Sequence, residues 1–238
     1  MQLKFLNHLI SWLVILIFTT CGIKKETKTS KSNNIIVTDI DGNKYRAVTI
    51  GTQVWMAENL KTTRYNDGSS ITFVQDSTNW GDSLKGAYCY YGNSIDNQDH
   101  YGNLYNWYAV NDPHKLAPKG WHIPTSNEWA ILLNHLGGES KASPKLRQQG
   151  SKFWAYPNYK ANNESGFNAL PGGFRFSQGN FYNWEYSELG TSGSFWTSTP
   201  YEKRKYYANF IKIYLGNTSI GVMGGDKNNG MSVRCIKD

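Results

Sequence analysis

The sequence predicts an α+β fold: a single domain with two short helices in its first half and a mostly antiparallel, loop-rich β half. Three observations carry this expectation. The first is a stretch with full helix punctuation, Pro124-Thr125-Ser126-Asn127-Glu128-Trp129. Thr125 can cap a helix there, and Glu128, three residues on, can reach back to complete a capping box. Trp129, Leu132, Leu133 and Leu136 then recur on one helical face, and Gly137-Gly138 ends the run. The second observation is that β-prone runs separated by Gly-rich and Asn-rich turns occupy both ends of the chain. The third is aromatic content: 15% of residues, with 9 Trp and 16 Tyr. Each aromatic side chain buries much area, so short strands and loops can still share a core.

The N-terminus reads differently from the rest. Lys4 is followed by an apolar run from Leu9 to Phe18, then Thr19, Thr20 and Cys21. A short charged region, an apolar core and a thiol at the cleavage point are the parts of a lipoprotein signal over residues 1–20. Phe18 and Thr20 stand where a lipobox usually has Leu and a small residue. The alternative is an ordinary secretory signal with an incidental cysteine. On the first reading Cys21 is acylated, and each buried methylene contributes about 0.8 kcal/mol to membrane anchoring. Residues 21–34 then form a polar tether and residues 35–238 the domain.

Within the domain, Ile35 to Thr38, Lys44 to Ile50 and Gln53 to Met56 read as strands, with a hairpin turn at Asp41-Gly42. Asp39-x-Asp41-Gly42 lacks the remaining ligands of a calcium loop, so a turn is expected. Ala87 to Tyr91 is β-prone. A first short helix is expected over Asn103 to Val110, where Leu104, Trp107 and Tyr108 share a face, and a second from Ser126. Later strands are expected at Phe167 to Leu170, Gly173 to Phe176, Gly193 to Ser198, Tyr206 to Leu215 and Met231 to Ile236.

Formal net charge is +7; removing residues 1–20 deletes only Lys4 and leaves 24 basic against 18 acidic residues. The densest basic run after the tether is Lys203-Arg204-Lys205. Nucleic-acid binding needs a concentrated stripe, and none is present. No nucleic-acid partner is expected.

Several ordered motifs resemble one family. They are IGTQVWMAENL over residues 50–60, YGNLYNW over 101–107, GWHIPT over 120–125, GFNALPGG over 166–173, FWTS over 195–198 and SVRC over 232–235. In order and spacing they resemble the Fibrobacter succinogenes major paralogous domain over roughly residues 37–238. That resemblance implies an exported or cell-surface protein, often a lipoprotein, and no particular reaction. The family is in turn distantly similar to the C-type-lectin-like fold used by formylglycine-generating enzyme domains.

Chemistry is sparse. Cys89 and Cys235 remain after Cys21, and in an oxidising compartment an even pair points to a disulfide, with two buried thiols as the alternative. The five histidines show no two-histidine metal spacing, and His122 reads as a hydrogen-bonded structural residue. No catalytic residue, cofactor or metal is expected. Glu58 and Glu128 are the carboxylates that could form a glycosidase pair, but Glu128 already has a capping role. Trp154, Tyr156, Tyr159, Trp184 and Tyr186 lie in polar, loop-like stretches and are candidates for stacking on sugar rings; the alternative is packing into the core. The triplets of a calcium-dependent lectin site are absent from the sequence.

The expectation is therefore a lipid-anchored cell-envelope protein, in the outer membrane, that binds or adheres to polysaccharide or to a protein. A structural subunit of a surface complex is the alternative, and an unrecognised enzyme the third reading. Metabolic labelling with a palmitate analogue is expected to mark the protein in the membrane fraction. An unlabelled protein in the cytosol would overturn the anchor.

Overall fold

The computed structural model describes residues 35–81, 84–179, 182–183, 186–216 and 220–238. The expected leader and tether lie outside the described residues. Asn34–Asp238 forms a compact unit with its own core.

Along the chain, β1 (Ile35–Thr38) and β2 (Lys44–Ile50) form the expected antiparallel hairpin, with Val37 opposite Tyr45. Asp39 Oδ1 accepts the backbone N–H groups of Asp41 and Asn43, and Gly42 takes φ of +84°. That is an Asx turn, as the sequence predicts. β3 (Gln53–Met56), β4 (Thr72–Phe73), helix α1 (Ser77–Gly81) and β5 (Ala87–Cys89) follow. Two 3-10 turns (Tyr91–Asn93, Ile95–Asn97) lead into α2 (Gln98–Tyr101), β6 (Leu104–Tyr105), α3 (Trp107–Val110) and β7 (Trp121–His122). Then come α4 (Ser126–His135), α5 (Glu139–Leu146), β8 (Tyr182–Asn183), β9 (Tyr186–Ser187), β10 (Ser192–Pro200), β11 (Tyr207–Tyr214), β12 (Val222–Asp226) and β13 (Ile236–Lys237).

The fold is α+β. One sheet has the order β1-β2-β3-β13-β7, a second β10-β11-β12, a third β4-β5-β6, and β8-β9 is a hairpin. Only the β4–β5 pair is parallel among these pairings. Helix α4 starts where the sequence predicts: Thr125 accepts from the Glu128 N–H and Glu128 accepts from the Thr125 N–H. The other predicted helix is shorter than expected. Leu104–Tyr105 pairs with β5, and Asn106 caps a helix that begins only at Trp107. Helix α5 was not expected, because ESKASPKL has Pro144 inside it and no long apolar stripe. Phe167 to Leu170 and Gly173 to Phe176 are not strands and make only isolated bridges.

Successive residues of the strands go to opposite cores. Met56, Cys235, Trp196 and Phe210 enter one cluster with Tyr45, Tyr105 and Trp107. Their neighbours Trp55, Ile236, Phe195 and Ile211 enter a second cluster with Trp129, Leu132, Leu133 and Phe167. Both larger sheets are thus covered on two faces, which the period-2 alternation of a strand allows.

Between them sits the fully buried guanidinium of Arg234. It donates from Nε to Asn59 Oδ1 at 2.9 Å, from Nη1 to the carbonyls of Met56 (3.2 Å) and Phe167, and from Nη2 to the Asn168 carbonyl at 3.3 Å. The ring of Phe167 lies 4.4 Å from its central carbon. Burial pushes its pKa down to about 9. Hydrogen bonds to a charged donor contribute about 1.5–3 kcal/mol each, and stranded buried carbonyls cost about as much again. Arg234→Ala is expected to lose more than about 4 kcal/mol, and Arg234→Lys to recover part of that loss. Urea unfolding followed by Trp fluorescence measures both.

Candidate functional site

A groove forms where α3 passes into an irregular segment. Asn106 fixes its start: Oδ1 accepts from Ala109 N and Ala87 N, and Nδ2 donates to the Lys85 carbonyl at 2.8 Å. Helix α3 is thereby held against β5. Trp107 is clamped by its Nε1 donating to the Thr197 carbonyl at 3.0 Å. After α3, Asp112 Oδ1 accepts the His114 N–H, and Lys115 turns the chain at φ of +61°.

Two concavities meet at this segment, sharing Asn111 and Asp112. The larger, about 470 Å³, is lined by Tyr65, Ser69, Ser70, Lys85, Trp107 and Tyr108, with His114 at its edge. The smaller, about 310 Å³, is lined by Lys115, Trp121, His122, Ser198 and Asp238. Gly86 lies in the larger one, where an added Cβ would come within 1.9 Å of the Tyr65 hydroxyl and 3.0 Å of the Ala109 Cα. Only glycine leaves the Tyr65 hydroxyl its place.

The titratable groups here are engaged with one another. His114 Nδ1 is 2.6 Å from Asp112 Oδ1 and its Nε2 is 3.8 Å from Asp67 Oδ2. The hydrogen bond to Asp112 raises its pKa, and Asp67 adds to the effect. Burial and the nearby Asp112 push the Tyr65 hydroxyl up. His122 stands between two carboxylates, with Nδ1 2.7 Å from Asp238 Oδ1 and Nε2 2.8 Å from Glu128 Oε1. Its partial burial opposes charge, but the bonds to Asp238 and Glu128 outweigh that and raise its pKa. Burial likewise opposes the Glu128 charge, and bonds from Thr125 and His122 outweigh it and lower its pKa. His122 is the hydrogen-bonded structural residue expected from the sequence. It joins the β13 end of the chain to the first turn of α4.

The residues singled out in the sequence are scattered. Cys21 and Trp184 lie outside the described residues. Tyr186 is in β9, and its side chain is likewise outside them. Tyr156 and Tyr159 are 85% and 66% exposed on one loop. That loop is tied down by Arg147 Nη2 donating to the Tyr159 carbonyl and Asn158 Nδ2 donating to those of Gln148 and Gly150. Trp154 corrects the expectation of an open ligand-stacking residue. It is 1% exposed, donates to the Ala169 carbonyl at 3.0 Å and lies under Arg147.

The expected Cys89–Cys235 disulfide is also corrected: both are free, buried thiols. Cys89 packs in a small cluster with Trp80, Tyr91 and Leu104, whereas Cys235 belongs to the larger core around Tyr45 and Tyr105. Burial pushes the Cys89 thiol up to about 12 and Cys235 higher still. Glu58 pairs with Arg46 at 2.6 Å, while Glu128 is held in its capping box.

The groove residues themselves were missed. Trp107 and Tyr108 read as the apolar face of a helix, and Asn111-Asp112-Pro113-His114 drew no expectation. A polar, turn-forming stretch of that composition two residues after Trp107-Tyr108 was the available signal. The arrangement offers the half-buried Tyr108 ring, hydroxyls, an amide and charged groups to a polar ligand. Among the described residues no group of three or more His, Cys, Asp or Glu is placed to hold a metal ion, and no helix is long and apolar enough to cross a membrane.

A family model described as the Fibrobacter succinogenes major domain matches residues 48–237. No curated protein and no solved structure matches the chain.

The His122 clamp makes stability depend on pH. The raised His122 contributes fully below its ordinary value of 6.5, and its contribution is lost as pH rises through its folded pKa. The lowered Glu128 contributes fully above 4.5 and is lost as pH falls through its folded pKa. The melting-temperature gap between wild type and His122→Gln is therefore expected to be widest between about pH 4.5 and 6.5 and to shrink by pH 9. Scanning calorimetry across that range tests it; a gap that does not vary with pH contradicts it.

Proposed function

The chain belongs to the Fibrobacter succinogenes major domain family, and from that premise we propose that it is a lipid-anchored, non-catalytic binding protein of the cell envelope. Its ligand is a polysaccharide held in the groove beside Asn111–His114. The observation that carries this reading is the lining of that groove. The half-buried Tyr108 ring stands beside Ser69, Ser70, Asn111 and Asp112, with Tyr65 and Trp107 packed into the core behind it, a combination that offers a sugar one stacking ring and several hydrogen-bonding groups.

The engaged state of the titratable groups supports binding over catalysis. A general base needs a nitrogen or carboxylate free to take a proton. His122 has a carboxylate on each ring nitrogen, and His114 lies between Asp112 and Asp67. Both thiols are buried with raised pKa values, which is opposite to what thiolate chemistry requires. The leader and Cys21 support the lipid anchor and the outer-membrane location. The architecture we propose is C-type-lectin-like, on the order of its elements: a Thr-capped helix following Ile123-Pro124, a late aromatic strand, and a closing strand after Arg234-Cys235.

A second reading, a subunit of a surface complex, is favoured by Tyr156 and Tyr159. Two well-exposed aromatic side chains on a tied-down loop are what a protein interface uses.

A glycan array probed with the full-length protein in nonionic detergent separates the two. Binding to one glycan class is expected, weakened about tenfold by Tyr108→Ala, which corresponds to about 1.4 kcal/mol. Tyr156→Ala is expected to leave that signal unchanged. An array with no signal, together with co-purification of an envelope protein that is lost in Tyr156→Ala, replaces the first reading with the second.

A further inference from the structure

We propose that the groove continues onto a basic, aromatic turn between β10 and β11, and that the polysaccharide it takes is anionic. This rests on the binding reading above and names the ligand class. Lys203, Arg204 and Lys205 are all exposed at that turn. Among the described residues none of the three forms an ion pair with a carboxylate. That contrasts with Arg46, Arg64 and Lys212, which pair with Glu58, Asp41 and Glu188.

The turn is built rather than loose. Tyr201 N donates to the Tyr207 carbonyl, Arg204 N to that of Tyr201, and Tyr207 N to that of Arg204. Two of its cations lie over rings, Arg204 at 5.1 Å from the Tyr207 centroid and Lys205 at 5.8 Å from that of Tyr206. Tyr206 is 64% exposed.

Lys227 joins this turn to the groove. Its backbone N–H donates to the Tyr206 carbonyl and its Nζ to the Lys205 carbonyl, each at 2.9 Å. Its carbonyl accepts the Trp107 N–H at 2.8 Å, and its Nζ sits 4.5 Å over the Trp107 ring. Trp107 lines the groove, so its wall and the basic turn are one hydrogen-bonded surface. Lys85 stands at the groove itself.

Four cations, Lys203, Arg204, Lys205 and Lys227, thus outnumber the carboxylates of Glu202 and Asp226 on this surface. Asp67 and Asp112 are taken up by His114. A positive field next to neutral hydrogen-bonding groups and rings suits a chain of sugars bearing carboxylate or sulfate groups.

The test titrates full-length protein in nonionic detergent with polygalacturonate, with dextran sulfate and with a neutral glycan bound on the array. Binding to at least one of the two polyanions is expected, and which of them binds tells carboxylate from sulfate recognition. Raising salt from about 50 to about 200 mM is expected to weaken it about tenfold or more. The Lys203→Gln, Arg204→Gln, Lys205→Gln triple variant is expected to weaken it similarly while its melting temperature and neutral-glycan binding stay as in the wild type. The salt response of the unaltered protein keeps the test valid if that variant misfolds. No polyanion binding with intact neutral-glycan binding overturns the anionic extension and leaves the groove reading standing. Loss of every glycan signal overturns both. Duplex DNA competing as strongly as the best polysaccharide shows charge alone at work and also overturns it.

Discussion

The described fold depends on the buried positive charge of Arg234, which meets carbonyls in place of a carboxylate. Arg234 has its guanidinium among the carbonyls of Met56, Phe167 and Asn168 and the side-chain oxygen of Asn59. Those groups come from two distant parts of the sequence: the end of β3 with the segment just after it, and the irregular stretch before the β-rich half. Each would otherwise need its own partner, because a buried carbonyl left unpaired is costly. Five fixed N–H donors on one planar group let one residue serve four acceptors at once. Lysine could not do this, having a point charge and no fork. Asn59 passes the constraint on, donating to the Tyr101 carbonyl and Ser232 Oγ. Arg175 repeats the device on the other side. It is fully buried, donating to the carbonyls of Gly179, Val74 and Gln75, with the Trp80 ring 4.5 Å away. In a fold where irregular segments enter the interior, carbonyl groups without sheet or helix partners are the main cost, and the buried arginines offset it.

The same accounting explains the tryptophans. Trp196 Nε1 donates to the Tyr105 carbonyl, Trp107 Nε1 to that of Thr197, Trp154 Nε1 to that of Ala169, and Trp80 Nε1 to that of Asn228. Each of these residues fills a core and closes an open backbone acceptor. The groove inherits its rigidity from this arrangement, since Trp107 and the neighbouring Tyr105 are both held from β10. A site so supported keeps its side chains in place before a ligand arrives, which lowers the ordering cost of binding.

Legibility followed locality. The α4 start was readable because Thr125 and Glu128 satisfy one another within a single turn. The first hairpin was readable because Asp39 and Gly42 set it alone. β12 was not, since its centre is Gly224-Gly225, residues depleted from strands; their lack of side chains is what lets Tyr201 and Phe210 pack close. Helix α5 was hidden by Pro144, and the short β4, β6 and β7 are too brief to leave a period. The site was less legible still. Whether an aromatic residue in a polar stretch points in or out depends on what arrives from elsewhere. Trp154 and Tyr156 are two positions apart in similar company, yet one meets Arg147 and Ala169 and the other meets solvent. Cys89 and Cys235 looked like a pair by count alone. Both are buried, but each thiol packs in its own cluster, and cluster membership is a tertiary property that counting does not reach.

Charge placement gives the last step. Most of the polar interior is neutral acceptors gathered by arginines, with Lys212 and Glu188 as a buried ion pair. Where carboxylates meet histidines, at Asp112–His114 and Glu128–His122–Asp238, the pairs lie at the rims of the two concavities and are only partly covered. Exposed pairs of this kind contribute little to stability, while they do orient the ring and fix the local field. At these rims the ring nitrogens of His114 and His122 are each directed at a carboxylate, so their charge and orientation are set by neighbours and not by solvent alone.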